Sequence, residues 1–257
     1  MYRPRLIPVL LLHQRGLVKS RSFMQHEYVG DPINAVKIFN DARVDELVML
    51  DIDASAQSRC VDLNWVKMIA EEAEMPLAIG GGITNTQQMQ QIIDVGVEKV
   101  ILGTLPILNE REVEKGASIL GSSSIVACVD VRKKNGNWCA YYKNGRIEVE
   151  RPVKEYLARL ENIGVGEIIL QDIDSDGHQK GYQQELFSEL IEDLSVPVIA
   201  CGGASSINNM KELYNQTNVA AMAAGSLFVH KGRWRAVLIN YPDESVKSTF
   251  VEEMIQK

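Results

Sequence analysis

Apolar residues in this chain come mostly in short unbroken runs bounded by charges and glycines, not in strict alternation. A strand covered on both faces reads this way, because neither side-chain direction meets water. Leu6-Ile7-Pro8-Val9-Leu10-Leu11-Leu12 predicts a first strand, followed by a polar loop from His13 to Gly30. Asp31-Pro32 then predicts a helix start, with a side-chain cap before a residue that needs no N–H partner, and the helix runs to about Ala42. Leu47 to Asp53 predicts a second strand with two acids at its end, and Asn64 to Glu74 a helix. Pro76 to Gly82 predicts a third strand closing on a triple glycine, Gln87 to Val95 a helix, and Val97 to Thr104 a fourth strand.

The pattern then starts again. Ile125-Val126-Ala127-Cys128-Val129 runs into Asp130, and Asn135-Gly136 and Asn144-Gly145 bracket a hairpin around Trp138 to Tyr142. Pro152 opens a helix as Pro32 does, and Gly166 to Asp174 repeats Asp45 to Asp53 at an offset of 121, with Glu167 over Glu46, Asp172 over Asp51 and Asp174 over Asp53. Pro197 to Gly203 repeats Pro76 to Gly82 at the same offset, and Ala223-Ala224-Gly225-Ser226 repeats Ile101 to Thr104 at 122. Landmarks coinciding in the same order imply an internal duplication: one α/β domain over 1–257, built from half-barrels at about 1–120 and 121–240 with a C-terminal helical tail. Eight such units meet the requirement of a closed (β/α)8 TIM barrel. An open doubly wound sheet is disfavoured, since equal halves close naturally and no G-x-G-x-x-G turn follows the first strand.

Composition narrows the partners. With 257 residues, 46% of them hydrophobic, the chain can bury a full core, and its formal charge of -7 argues against nucleic acid or an anionic membrane as the main target. A small molecule or another protein is left, and a local basic patch can still hold phosphates. Cys60, Cys128, Cys139 and Cys201 lack C-x-x-C spacing, which suits free thiols in a reducing cytoplasm. His13, His26, His178 and His230 have no metal-ligand spacing, and no cofactor is expected. The first apolar run is too short to span a membrane and lacks a cleavage site, so no export is expected.

Sorting residues by strand end assigns candidate chemistry, since barrel active sites gather at the C-terminal ends. Gly81-Gly82 with Gly103-Thr104 form one glycine and hydroxyl cluster there, and Gly202-Gly203 with Gly225-Ser226 form its repeat. Backbone N–H groups exposed by glycine, with a helix start behind them, predict two phosphate cradles on opposite sides of the mouth; tight turns are the plainer alternative. Asp51, Asp53, Asp130, Asp172, Asp174 and Asp176, the last followed by Gly177, are the acids available as general acid or base, with N-caps and solvated loops accounting for some of them. At the other end, Arg5, Glu46, Lys99 and Glu167 begin strands one, two, four and six, either as solvated charges or as a ring gating an axial passage.

Asp45-Glu46-Leu47, Leu50-Asp51-Ile52, Gly80-Gly81-Gly82-Ile83, Asp130, Asp174 to Gly177 and Ala200 to Ala204 together resemble the cyclase subunit family of imidazole glycerol phosphate synthase (HisF-like), over essentially the whole chain. The resemblance implies a barrel that docks a class I type glutaminase on its N-terminal face and passes ammonia through its axis to a substrate held by a phosphate at each end. It implies that Arg5, Glu46, Lys99 and Glu167 form the channel gate, that Glu98 contacts the glutaminase, and that Lys19, in a mobile first loop, helps close over substrate. Asp130, Lys19 and Asp176 are the catalytic candidates. Asp51, Gly81, Gly82, Gly103, Thr104, Gly177, Gly202, Gly203, Gly225 and Ser226 are the candidates for holding substrate.

The family's first-strand aspartate falls on Leu11, and Gly103 replaces an asparagine the family commonly carries. Losing a positioned acid or base costs on the order of 10²- to 10⁴-fold in rate. Leu10-Leu11-Leu12, Gly16 to Lys19 and Gly30 to Val36 resemble a divergent branch found with bacterial surface-polysaccharide genes. That branch implies ammonia supply for converting an acetamido group on a nucleotide sugar into an acetamidino group. The alternatives are a histidine-pathway cyclase with a rearranged acid, and a noncatalytic partner that activates a glutaminase. A related isomerase of the same ancestry fits less well, since it also relies on a first-strand acid and has no need of the gate.

Overall fold

The computed structural model describes residues 3–255, with side chains through residue 250. Eight parallel strands close on themselves: β1 (Arg5–His13), β2 (Leu47–Asp51), β3 (Leu77–Gly80), β4 (Lys99–Leu102), β5 (Ile125–Lys134), β6 (Glu167–Asp172), β7 (Val198–Cys201) and β8 (Ala221–Ala224). β8 returns to β1 through Arg5 opposite Ala221, and β5 meets β6 through Asp130 opposite Gln171. The architecture is a (β/α)8 TIM barrel, as the repeated pattern predicts.

Strand alternation sorts the apolar runs into two layers. Leu6, Leu10 and Leu12 of β1 pack outward against the helices, with Val36 and Phe39 of α1 (Pro32–Asp41) among their cluster. Ile7 and Val9 point inward with Val48, Ala78, Ile101, Val126, Ile169, Ile199 and Ala221, lining the axis. Burial on both faces explains the unbroken runs, and each fully buried branched side chain contributes about 1.5–3 kcal/mol. Asp31 caps α1 by accepting from Asn34 N at 2.9 Å, with Pro32 at its first turn. Pro152 differs: it is the N-cap itself, and the helix starts at Val153.

The segment from His13 to Gly30 is not an irregular loop. β1 continues to His13, and strands Gly16–Arg21 and Met24–Gly30 fold back on it as an antiparallel extension. The turns carry no Asn-Gly signal: Gln14 and Arg15 (φ 49° and 66°), then Ser22 and Phe23 (φ 47° and 63°), adopt the left-handed region. The second extension does follow its signal, with Asn135 and Gly136 joining β5 to the strand Asn137–Tyr142. A third, unanticipated hairpin pairs His230–Lys231 with Ala236–Val237. All three stand beyond the C-terminal ends of barrel strands. At the opposite end the C-terminal helix Glu244–Ile255 sets buried Lys247 against Asp45, with Nζ 3.4 Å from Oδ1. Among the described residues no helix is long and apolar enough to cross a membrane.

Candidate functional site

The C-terminal ends of the strands surround a cavity of about 200 Å³. Its inner wall is apolar, with Val9 and Leu11 from β1, Leu50 from β2 and Ile101 from β4. The strand extensions supply much of the rim: Lys19, Ser20, Phe23 and His26 from one, Tyr142, Lys143, Asn144 and Arg146 from the other. Asp51, Asp130 and Asp176 bring carboxyl groups into this space, and Gln171 an amide.

Asp176 lies in the loop after β6. Gln171 Nε2 donates to its Oδ1 at 3.1 Å, and Ser20 Oγ donates to its Oδ2 at 3.3 Å. Burial pushes its carboxyl up to about 6, against the charge of Lys19 and these two hydrogen bonds. Asp130 is pushed further, to about 7, by burial and by the charge of Asp176. Both carboxyls are thus held well above the usual carboxylate range, and a charge on Asp176 favours the proton on Asp130. Lys19 lies on a strand and not in an irregular loop. It sits buried on the strand Gly16–Arg21, where its Nζ donates to Val9 O at 2.5 Å, and burial lowers its pKa to about 8, partly offset by Asp176.

The glycine clusters flank this centre. Gly81, Gly82, Gly103 and Thr104 line the cavity from the β3 and β4 ends; Gly225 and Ser226 line it from β8, four strands away. Gly177, Gly202 and Gly203 line an adjoining recess that shares Gly225 and Ser226. At Gly82, with φ +61°, a Cβ would overlap the Arg59 carbonyl oxygen, and at Gly203, with φ +99°, one would overlap that of Gly181. Side-chain-free backbone is therefore required at both clusters.

The six acids do not share one pocket. Asp51 reaches the cavity wall, but its carboxylate accepts from Asp53 N and Ala54 N, both at 3.1 Å, and pairs with Arg59 at 2.6 Å. Asp172, its repeat, makes the same backbone bonds to Asp174 N and Ser175 N. Asp53 binds His13 Nδ1 at 2.7 Å, and exposed Asp174 pairs with Arg132 at 2.7 Å. Of the six, only Asp130 and Asp176 line the cavity without an ion pair to a neighbouring side chain. Gln171, Ser20, Phe23, His26, Tyr142 and Arg146 were not legible as site residues. Gln171 alone carried a signal: it follows Ile169 by two positions on β6 and so faces inward with it.

At the N-terminal end the four charges form a closed ring. Arg5 bridges Glu46 and Glu167, and Lys99 Nζ bridges the same two carboxylates at 3.0 and 2.9 Å. The Glu46 and Glu167 side chains are 3% and 7% exposed, so each depends on both cations. Burial works against the Arg5 guanidinium, but its hydrogen bond to Glu167 and the two carboxylate charges leave its pKa raised. Exposed Glu98 lies on the same face and accepts from Leu77 N at 2.6 Å.

Two acids and two glycine clusters at the mouth and a charged ring across the base define the class: a two-ended (β/α)8 barrel. The match to the histidine biosynthesis protein family spans residues 5–235, and the chain belongs to that family, within its HisF-like members. It is 45% identical over 246 residues to a Pseudomonas aeruginosa protein provisionally named imidazole glycerol phosphate synthase subunit hisF2, covering 95% of this chain and 97% of that one. A Vibrio vulnificus protein, provisionally named subunit hisF3 of the same synthase, is 41% identical over 254 residues, 98% of each chain. The Bacillus cereus imidazole glycerol phosphate synthase subunit HisF is 34% identical over 229 residues, 89% of this chain and 91% of that one.

Proposed function

We propose that this chain is the synthase subunit of a glutamine-dependent complex, working in the cytoplasm. A class I glutaminase docks on the N-terminal face, with Glu98 among its contacts, and releases ammonia at the ring of Arg5, Glu46, Lys99 and Glu167. The apolar axis lined by Ile7, Val48, Ile101 and Ile169 favours the uncharged molecule over ammonium. Ammonia meets the substrate at the mouth, where the two glycine clusters hold its phosphates.

The observation that carries the finer reading is Leu11 on the cavity wall, where the resemblance places an aspartate. The acids that remain, Asp130 and Asp176, come from β5 and the β6 loop. We read the acceptor as an acetamido group on a nucleotide-linked sugar of surface-polysaccharide biosynthesis, carrying an activating group on its amide oxygen that another enzyme supplies. The ammonia nitrogen bonds to the amide carbon, Asp176 takes the proton it sheds, and the C–O bond breaks as Asp130 protonates the departing oxygen, leaving the acetamidino group. Lys19 supports Asp176 as the anion.

A second reading, the histidine-pathway cyclase with Asp176 in place of the missing first-strand acid, is favoured by the likeness to the Bacillus cereus subunit. A single-turnover assay with the ribonucleotide intermediate and ammonium salt separates the two. Turnover of that intermediate close to that of members carrying the first-strand acid would overturn the amidination reading.

A further inference from the structure

We propose that the hairpin turn at 231–235, together with Arg21, extends the glycine recess at β7 and β8 into a binding site for a nucleoside diphosphate, with Arg235 and Arg21 holding the diphosphate and Trp234 stacking on the base. The proposal deepens the reading above and rests on its phosphate-held substrate.

Arg235 is held in an unusual way. Its Nη1 donates to Gly177 O at 3.2 Å and to Gln179 Oε1 at 3.0 Å, both uncharged acceptors, and its Nε is buried without a partner. Among the described residues neither Arg235 nor Arg21 forms an ion pair. The charge of Glu27 favours the Arg235 cation, but the two make no ion pair. Burial and then the charge of Arg21 lower the Arg235 pKa, so the two cations repel each other. In a chain of formal charge -7, Arg235 is held beside a second cation by neutral acceptors and makes no ion pair.

Both residues adjoin Gly177 at the recess, Arg235 through its guanidinium and Arg21 through its backbone. The Gly177 carbonyl that accepts from Arg235 belongs to a residue lining it with Gly202, Gly203, Gly225 and Ser226. A Cβ on Gly177 would stand 3.1 Å from Arg21 Cα, so the Arg21 backbone abuts the same glycine. One phosphate is satisfied by backbone N–H groups and the Ser226 hydroxyl. The Arg235 guanidinium beside it supplies charge and fork geometry for a second phosphate, with Arg21 within reach through its long side chain, against the one carboxylate of Asp176 in the recess.

Trp234 supplies the remaining element. It is 85% exposed, whereas Trp65 and Trp138 are partly buried. The Arg233 guanidinium lies 5.2 Å from its ring centroid, covering one face. An indole next in sequence to a phosphate-binding arginine makes a stacking platform that accepts any base.

The test uses the full chain without glutaminase or ammonia, so it reads binding and not chemistry. UDP, GDP, inorganic pyrophosphate and inorganic phosphate are titrated by calorimetry and by tryptophan fluorescence at fixed ionic strength. UDP and GDP are expected to bind and to shift the emission, with pyrophosphate weaker. Arg235→Gln and Arg21→Gln should each weaken UDP and pyrophosphate on the order of 10-fold or more, and Arg235→Lys should recover part of the loss. Trp234→Leu should weaken UDP roughly 5- to 100-fold while leaving pyrophosphate unchanged. Matching thermal unfolding of the variants shows that they remain folded. No binding by the wild type at millimolar UDP overturns the proposal, as does equal binding of UDP and pyrophosphate, or emission that follows protein concentration instead of nucleotide, which marks Trp234 as a self-association surface. Binding without amidination overturns the proposed reaction alone.

Discussion

Gln171 donates to Asp176 Oδ1 at 3.1 Å, and its partner across the β5–β6 register is Asp130, so one residue adjoins both acids of the mouth. The hydrogen bond favours the Asp176 anion and helps hold its pKa at about 6. Replacing Gln171 by Leu removes a bond worth about 1 to 1.5 kcal/mol to the charged form, which raises the Asp176 pKa by about one unit. The glutamine-driven rate of the complex is expected to be bell-shaped, with limbs near pH 6 and 7. In the Leu variant the acid limb should move up by about one unit and the bell should narrow. An unchanged acid limb would show that Asp176 is not the base.

The repeat, the closed barrel and the base ring were legible because each rests on spacing. Gly82 and Gly203 stand at one offset, and Arg5, Glu46, Lys99 and Glu167 all lie at or next to a strand start; position brings those four charges to one end, and the family resemblance chose a ring over solvated charges. The mouth was less legible because its residues come from segments whose path is set by tertiary contact. Phe23 and His26 reach the cavity through turns on non-glycine residues, and those turns form only because the extension pairs with β1. Asp51 and Asp172 both turn an oxygen to backbone N–H groups two and three residues onward; Asp172 leaves its other oxygen buried without a partner, away from the cavity lining.

Lys99 and Arg5 each bridge the same two carboxylates, so removing either strands buried charge. Lys99→Met leaves Glu46 and Glu167 with Arg5 alone. Breaking such a pair costs about 3–5 kcal/mol when fully buried; with Lys99 about a fifth exposed, about 2–3 kcal/mol is expected in denaturant unfolding. The functional readout is the ratio of glutamine-driven to ammonium-driven product. It should fall in Lys99→Met, because ammonium salt reaches the mouth from the open end. An unchanged ratio would remove the ring from the ammonia route.

Leu11→Asp tests the missing acid directly. If Leu11 alone prevents the ring-closing reaction, the variant should raise turnover of the ribonucleotide intermediate by about 10²-fold or more. No gain would show that the remaining departures, Gly103 among them, also exclude that substrate. The new carboxyl sits on an apolar wall near Asp130 and Asp176, so about 1–3 kcal/mol of stability should be lost at pH 8.

Asp130→Asn should stabilise the protein in a pH-dependent way. The carboxyl has its folded-state pKa raised from 3.8 to about 7, chiefly by burial. Below about pH 4 it is protonated in folded and unfolded chains alike and favours neither. As the pH rises from 4 to 7 the unfolded chain releases its proton freely while the folded chain holds it, so wild-type stability declines; above 7 the decline is complete. The shift sets a ceiling of about 4 kcal/mol, and solvent in the mouth reduces the expected gain of the Asn variant to about 2 kcal/mol at pH 8. Urea midpoints of both proteins across pH 4.5 to 8 measure the difference between them, in which all other titrating groups cancel to first order. A gap that opens through neutral pH places the proton on Asp130. A constant gap would mean that Asp130 is already ionised in the acid range, and that the acid of this mouth lies elsewhere.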